Sequence, residues 1–125
     1  MSQFTALNNA QYMSLKTFRK NGDGVPTPVW FAEENDKLYV MTLAHAGKVK
    51  RIRNNSTIEI APCDVRGNIK DGIDYIPASA RLLPAGDDVK AANQRLTRKY
   101  GLFKRIFDLV QRNREKVYIE IIPAG

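Results

Sequence analysis

The residues most suited to chemistry lie between positions 45 and 55, in the segment HAGKVKRIRNN. This segment holds four cations within six positions: Lys48, Lys50, Arg51 and Arg53. On a helix, residues three apart lie on the same side, so Lys48 and Arg51 form one pair and Lys50 and Arg53 another. Taken alone, such a cluster is most often a solvated helix face. A site for one phosphate group ranks second and a nucleic-acid surface third.

The residues around this cluster favour one phosphate group over a polynucleotide. Thr42 ends the preceding predicted strand, and its hydroxyl would complete a compact anion site with Lys48 and Arg51. Gly47 leaves main-chain donors accessible at the positive end of the helix dipole. Surfaces that bind nucleic acids combine spread cations with aromatic side chains for stacking, and residues 40–56 contain no Phe, Trp or Tyr. We therefore expect no nucleic-acid partner.

The sequence contains none of the familiar catalytic sets. It has one His and one Cys, with no CxxC or HExxH spacing for a metal and no GxSxG serine. A phosphate-binding loop would need Gly at position 42 and Ser or Thr at position 49, where this chain has Thr42 and Val49. His45 is more often a cap or hydrogen-bonding residue, and Cys63 a small buried apolar residue. We therefore assign no catalytic residue and no metal ligand, and expect a cofactor to supply the reactive atoms.

The segment 25-VPTPVWF-31 is a second candidate for ligand binding. Pro26 and Pro28 direct their missing N–H groups toward the same strand edge, so that edge cannot donate to a neighbouring strand. The simpler interpretation is an edge strand protected against aggregation. The alternative is an edge kept open so that a flat ligand meets main-chain atoms around Pro28–Trp30, with Trp30 lining the slot.

These residues must be positioned by a mainly β structure. Period-two alternation bounded by turn sequences predicts six strands: 12–20, 25–32, 37–43, 56–63, 73–83 and 117–122. Apolar spacing predicts helices at 3–11, within 45–55, from Asp87 to Gly101 and at 102–110. Because the helices do not alternate with the strands, we expect a six-stranded antiparallel barrel with helices at its rim.

The composition bears on the number of domains, the charge of the partners and the cellular compartment. A length of 125 residues fits one domain, residues 1–125. The net charge of +7 favours anionic partners without choosing among them. The sequence shows no signal peptide and no membrane span, and a single cysteine excludes an internal disulfide. We therefore expect a cytoplasmic protein.

The order of the motifs TFRKNGDGVPTPVWFA, LYVMT, GKVKRIRNN, IEIAPCD and ARLLP resembles the pyridoxamine 5'-phosphate oxidase-like split-barrel flavoproteins. It is most similar to their small branch of deazaflavin-dependent oxidoreductases, and the resemblance covers roughly residues 12–84 and, more loosely, the C-terminal helix-and-strand region. It implies a split barrel that forms a homodimer, with FMN or the deazaflavin coenzyme F-420 in clefts between the subunits.

The resemblance also implies a role for individual residues. The cofactor phosphate would be held by Thr42, Lys48 and Arg51, with Lys50 as a further contact. The ring system would lie along the strand that carries Pro28, Val29 and Trp30. The sequence departs from the family pattern at residues 77–79, where a Gly-Thr pair is usual, and at His45, where a small polar residue is common. We therefore transfer no substrate from the family.

Two hypotheses for the function follow from the residues and the resemblance. The first is an oxidoreductase that transfers a hydride between FMN or a deazaflavin and a small organic substrate. The alternative is a non-catalytic protein that binds or senses a flavin, a haem or another anionic ligand on the same barrel. Turnover separates the two, because only an enzyme re-oxidises its cofactor faster than the free cofactor reacts.

Overall fold

The strands follow the stretches of alternating residues, and the helices follow the amphipathic stretches between them. A computed structural model of the chain describes residues 10–84, 86–101 and 115–124, with Leu7, Lys104 and Asp108. Within these residues the elements are β1 (Tyr12–Phe18), β2 (Gly24–Val29), β3 (Ala32–Glu34), β4 (Lys37–Leu43), α1 (Gly47–Asn54), β5 (Thr57–Cys63), β6 (Ile76–Leu82), α2 (Asp87–Tyr100) and β7 (Lys116–Pro123). The helices predicted at 3–11 and 102–110 lie mostly outside the described residues.

The described strands form a rolled antiparallel sheet with the order β2-β1-β5-β6-β7-β4-β3. β2 and β3 lie at opposite ends of this order, yet only Trp30 and Phe31 separate them along the chain. Because each residue advances the chain by at most about 3.6 Å, the two end strands must lie close together. The sheet therefore closes into a barrel that stays open between β2 and β3. The predicted mainly β, antiparallel split barrel is confirmed, with the short strand β3 added to the six predicted strands.

β2 is an edge strand, as its prolines predict. It pairs with β1, where Thr27 lies opposite Leu15, and no other described strand pairs with it. Successive residues of a strand point their N–H groups to opposite edges, so the pairing with β1 leaves Pro26 and Pro28 facing the open edge. The main chain beside Pro28 therefore borders the opening of the barrel.

Apolar side chains pack inside the barrel and between its outer face and α2. Eight interior residues are fully buried: Met13, Leu15, Leu38, Val40, Ile58, Ile60, Ile119 and Ile121. On the outer face, α2 packs against β3, β4 and β7, with Ala92 and Leu96 buried among the contacts. The two helices therefore flank different parts of the sheet.

α1 packs through the narrow apolar seam that the sequence predicts. Its buried residues are Val49 and Ile52, and it contacts β1 and β6. The remaining side chains of this eight-residue helix are mainly charged or polar, and those of Lys50 and Arg53 are exposed. Neither α1 nor α2, the helices among the described residues, is long and apolar enough to cross a bilayer.

Candidate functional site

A cavity of about 370 Å³ lies where the ends of β2 and β4 meet the start of α1. Its wall is mainly apolar, with contributions from both strands and from α2. Five of the seven predicted site residues line it: Pro28, Val29, Trp30, Thr42 and Lys48. The fold thus brings the proline edge and the start of the basic helix to one place. Lys50 and Arg51 lie on α1 outside the cavity wall.

Lys48 and Thr42 form the polar end of the cavity. The ammonium group of Lys48 lies 3.5 Å from the Thr42 hydroxyl oxygen, and Thr42 is buried. Burial lowers the pKa of Lys48, and the nearby Arg51 guanidinium lowers it further. Both effects disfavour the charged ammonium. An anion bound beside Lys48 would therefore stabilise its charged form.

Arg51 lies next to this polar end although it does not line the cavity. Its Nε donates a hydrogen bond of 2.6 Å to the hydroxyl of Thr17 on β1. Burial and the nearby Arg19 lower the pKa of Arg51. Among the described residues, no carboxylate forms an ion pair with Arg19, Lys48 or Arg51. The cluster of these three cations therefore lacks a protein counter-charge within the described chain.

The other two cations of the basic segment face solvent. Lys50 and Arg53 are both exposed, and neither lines the cavity. This division follows from the helix, because Val49 and Ile52 face the barrel and leave residues 50 and 53 on the outer side. The structure thus separates Lys48 and Arg51 from Lys50 and Arg53, as the three-residue spacing predicts.

The indole of Trp30 gives the cavity a flat aromatic wall that α2 holds in place. It stacks on the ring of Tyr100, with ring centroids 4.8 Å apart and planes inclined by 13°. The Tyr100 hydroxyl accepts a hydrogen bond from the main-chain N–H of Phe31 at 2.9 Å. Its own proton is donated to the carbonyl oxygen of Gln11 or of Phe31, each 2.8 Å away. Burial raises the pKa of Tyr100 to about 12, so the hydroxyl stays protonated at neutral pH.

The cavity wall also includes a buried cation that the sequence did not predict, Lys104. Only 1% of its surface is exposed, and it lines the cavity together with Leu96 of α2. Lysine is rarely fully buried, so the burial of Lys104 departs from what its residue type predicts. The spacing of Lys104 and Asp108, four residues apart, is the one sequence signal for their ion pair.

The single histidine and the single cysteine differ in their relation to the cavity. His45 is exposed and lines the cavity. Cys63 lies elsewhere, and burial together with Asp64 raises the pKa of its thiol, which disfavours the reactive thiolate.

Residues 77–79, the other departure from the family pattern, lie within β6 and do not line the cavity. Among the described residues, no group of three or more His, Cys, Asp or Glu is placed to hold a metal ion.

Comparisons of the sequence with protein-family models and with curated proteins give no match. The structure, in contrast, matches solved structures over almost its whole length. A candidate pyridoxamine 5'-phosphate oxidase from Listeria innocua is 16% identical with a TM-score of 0.62, over 98% of this chain and 90% of that one. The haem storage protein HutZ from Vibrio cholerae is 11% identical with a TM-score of 0.73, over 94% and 84%. An FAD-binding protein from Mesorhizobium loti is 14% identical with a TM-score of 0.67, over 96% and 84%.

These matches confirm the predicted resemblance at the level of the fold. The chain has the pyridoxamine 5'-phosphate oxidase-like split barrel. At sequence identities of 10–16%, the fold is what the chain shares with these proteins. The ligand and the chemistry therefore depend on the residues of the cavity itself.

Proposed function

We propose that this protein binds a phosphate-bearing tricyclic cofactor, FMN or the deazaflavin coenzyme F-420, and transfers a hydride between it and a small organic substrate. The observation that carries the proposal is the pair of Lys48 and Thr42 at the polar end of an otherwise apolar cavity. Arg51 adjoins this pair and carries no carboxylate partner among the described residues. The FAD-binding protein from Mesorhizobium loti, which has the same fold, lends support.

The residues around the cavity fit such a cofactor. A volume of about 370 Å³ lies within the range of roughly 300–1,000 Å³ that is usual for small-molecule sites. Lys48, Lys104 and His45 line it, and no acidic residue does so among the described residues, which favours an anionic ligand. Trp30 offers a flat surface for a planar ring.

Each part of the site has a distinct task in this proposal. The cofactor would supply the hydride chemistry when bound. Lys48, Thr42 and Arg51 would bind its phosphate group, with helix α1 adding main-chain N–H donors. Pro28, Val29 and Trp30 would orient the ring along the open edge of β2. No side chain of the cavity is assigned as an acid or a base.

We also propose that the functional form is a homodimer whose second subunit covers the cavity. Val65 lines the cavity although 62% of its surface is exposed. Burial of such an apolar side chain against a partner is favourable. Light scattering should give a particle mass of twice 14.1 kDa.

The test is the effect of the double variant Lys48→Ala, Arg51→Ala on the affinity for FMN. Each charge-assisted hydrogen bond contributes roughly 1.5–3 kcal/mol, so FMN should bind at least about a hundredfold more weakly. Riboflavin, which has the same ring without the phosphate group, should bind the variant and the wild type alike. An unchanged dissociation constant for FMN would rule out this phosphate site.

The same helix provides matched controls. Arg53→Ala removes one positive charge from the exposed side of α1 and should leave FMN binding within about threefold, since exposed charges contribute little. Lys50→Ala tests the further phosphate contact at an exposed position. Thermal unfolding of every variant separates a loss of binding from a loss of folding, because Arg51 also bonds Thr17.

The second candidate is a non-catalytic protein that binds haem or another anionic ligand. Two observations favour it. The first is that His45 lines the cavity, because histidine is a common axial ligand of haem iron. The second is that HutZ, a haem storage protein, shares the fold. The visible absorption of the ligand that co-purifies distinguishes a haem from a flavin. With a reductant and a panel of acceptors, an enzyme should re-oxidise its cofactor faster than the free cofactor does.

A further inference from the structure

Tyr12, the first residue of β1, lies on the cavity wall together with Trp30. Side chains alternate between the two faces of a strand, and Met13 is fully buried inside the barrel, so Tyr12 is on the outer face of β1. Met13 pairs with Val29 on β2, which brings Tyr12 and Trp30 close together one residue further along each strand. Burial raises the pKa of Tyr100 to about 12, and the nearby Tyr12 adds to this shift. Tyr12 and Trp30 therefore form an aromatic end of the cavity.

The hydroxyl of Tyr12 is both unpaired and accessible. Within the part of the chain that the structure describes, no group donates to it or accepts from it. In the same part of the chain, Oγ1 of Thr27 is the only side-chain nitrogen or oxygen that is buried without a partner. The Tyr12 oxygen is therefore not buried, although the residue is half-buried. Other tyrosines bond within the protein through their hydroxyls: Tyr75 to Ser14, Tyr100 to Gln11 and Phe31, and Tyr118 to Asn93.

Tyr12 and the proposed phosphate site lie toward opposite ends of β1. Arg51, which adjoins the phosphate site, bonds Thr17, and Thr17 follows Tyr12 by five residues on this strand. Because a strand advances about 3.3 Å per residue, these two positions are about 16 Å apart. A ligand whose phosphate group lies beside Lys48 and Arg51 would therefore have its ring, not its phosphate, near Tyr12.

The other polar groups of the cavity wall are less suited to bind the ring. Thr42 and Lys48 form the polar end, and His45 precedes Lys48 by three residues at that same end. The ammonium group of Lys104 already makes three hydrogen bonds within the protein. Tyr12 thus supplies an available O–H donor at the aromatic end.

We propose that the Tyr12 hydroxyl orients the ring of the bound cofactor by donating a hydrogen bond to an acceptor on the edge of the ring. This inference rests on the proposed function and extends it from the phosphate to the ring. A phenol O–H donates to carbonyl oxygens and to unprotonated ring nitrogens, and the flavin ring has both. In a mainly apolar cavity, a single donor in a fixed position determines which way round a planar ring binds.

The test compares Tyr12→Phe with Tyr75→Phe, using FMN and riboflavin as ligands. Tyr12→Phe keeps the aromatic ring and removes only the hydroxyl, so both ligands should bind roughly three- to tenfold more weakly, by the same factor. Tyr75→Phe is the matched control, because its hydroxyl bonds Ser14 on the same face of β1 and Tyr75 does not line the cavity. It should leave both dissociation constants unchanged. Equal effects of the two variants would overturn the proposal.

A second comparison identifies the acceptor on the ring. 5-Deazariboflavin has a carbon in place of the N5 nitrogen of riboflavin and keeps both ring carbonyl groups. Weaker binding of both compounds by Tyr12→Phe would assign the bond to a carbonyl oxygen. Weaker binding of riboflavin alone would assign it to N5 and would make FMN a better match than coenzyme F-420. If Tyr12→Phe binds both compounds as the wild type does, Tyr12 donates no bond to the ring.

The phosphate site and the Tyr12 contact can fail independently. The double variant Lys48→Ala, Arg51→Ala should affect FMN and leave riboflavin unchanged, whereas Tyr12→Phe should affect both. Thermal unfolding should be the same for Tyr12→Phe and the wild type, because the hydroxyl has no partner to lose among the described residues. The visible absorption of bound riboflavin should shift in Tyr12→Phe, because a hydrogen bond to the ring changes its electronic transitions. Superimposable spectra would contradict the contact.

Discussion

The position of the Arg51 side chain depends on the absence of a side chain at Gly47. A Cβ atom at residue 47 would lie 2.8 Å from Nη1 of Arg51, closer than such atoms approach one another in folded proteins. The guanidinium group therefore lies over the first turn of α1, where helix N–H groups lack partners within the helix. Gly47 thus allows a side-chain cation and main-chain donors to meet at one end of the helix.

Gly47→Ala should displace this guanidinium without harming the fold. The contact involves the end of a flexible side chain, and alanine favours helices over glycine by up to about 1 kcal/mol. We expect the free energy of unfolding to hold or rise, while the affinity for FMN falls severalfold and that for riboflavin stays constant. Urea unfolding and ligand titration measure the two quantities. Unchanged FMN affinity would show that Arg51 binds no phosphate from this position.

The sequence predicts the part of the proposed phosphate site that depends on local spacing. Thr42 ends a strand and Lys48 follows on the next helix, so their proximity needs only the order of two elements. The bond from Arg51 to Thr17 joins residues 34 positions apart, and no local pattern contains it. The burial of Lys104 is harder still to predict from the sequence, because lysine is rarely fully buried and because its ammonium bonds Asp108 and Asn93 together.

At the scale of elements, α2 acts on the cavity through Tyr100. This residue ends the helix, stacks on Trp30 and bonds main-chain atoms of Gln11 and Phe31. Three segments that are distant in sequence therefore meet at one phenol ring. The orientation of the indole, and with it one wall of the cavity, should depend on both the ring and the hydroxyl of Tyr100.

Two variants separate the contributions of ring and hydroxyl. Tyr100→Phe keeps the stack and removes the bonds, which should destabilise the protein by about 1–3 kcal/mol because buried main-chain groups lose a partner. Tyr100→Leu also removes the stack, worth about 0.5–1.5 kcal/mol. Because Trp30 is the only tryptophan, its fluorescence reports on this wall. We expect a shifted emission maximum and weaker riboflavin binding in Tyr100→Leu, and smaller changes in Tyr100→Phe; identical spectra in all three proteins would contradict the stack.

The sequence predicts single elements better than their closure into a barrel. Pro26 and Pro28 identify β2 as an edge strand by chemistry alone, because proline has no N–H group to donate. The short strand β3 has three residues, too few for a pattern of alternation, and the predicted strand 25–32 includes only its first residue, Ala32. The stack of Trp30 on Tyr100 joins residues that are distant in sequence, and only the folded chain brings them together.

For the molecule as a whole, burial of titratable side chains makes stability depend on pH in the alkaline range. The Lys99 ammonium lies 3.6 Å from the centre of the Phe31 ring and bonds the Ala10 carbonyl oxygen. Partial burial of the ammonium lowers the pKa of Lys99 to about 8, although the residue as a whole is exposed, against an opposing effect of Glu33. In the unfolded chain the pKa is near 10.5. Between these values the unfolded chain holds a proton that the folded protein has lost, so stability rises with pH.

The buried tyrosines act in the opposite direction at higher pH. Burial raises the pKa of Tyr100 and of Tyr118 to about 12, against an ordinary value of 10.0. From about pH 10 upward the unfolded chain loses phenol protons that the folded protein retains, so stability falls. The free energy of unfolding should therefore pass through a maximum near pH 10, where the effect of Lys99 gives way to that of the two tyrosines.

Subtraction of a Lys99→Met curve isolates the contribution of the lysine. Methionine keeps most of the apolar stem over Phe31 but binds no proton, so the tyrosines contribute equally to both proteins. The free energy of unfolding of the wild type minus that of the variant should be constant from pH 6 to about 8 and rise from about 8 to 10.5. Urea denaturation at closely spaced pH values measures this difference. A flat or falling difference between pH 8 and 10.5 would mean that Lys99 keeps its proton when folded, and that its position over Phe31 is accessible to water.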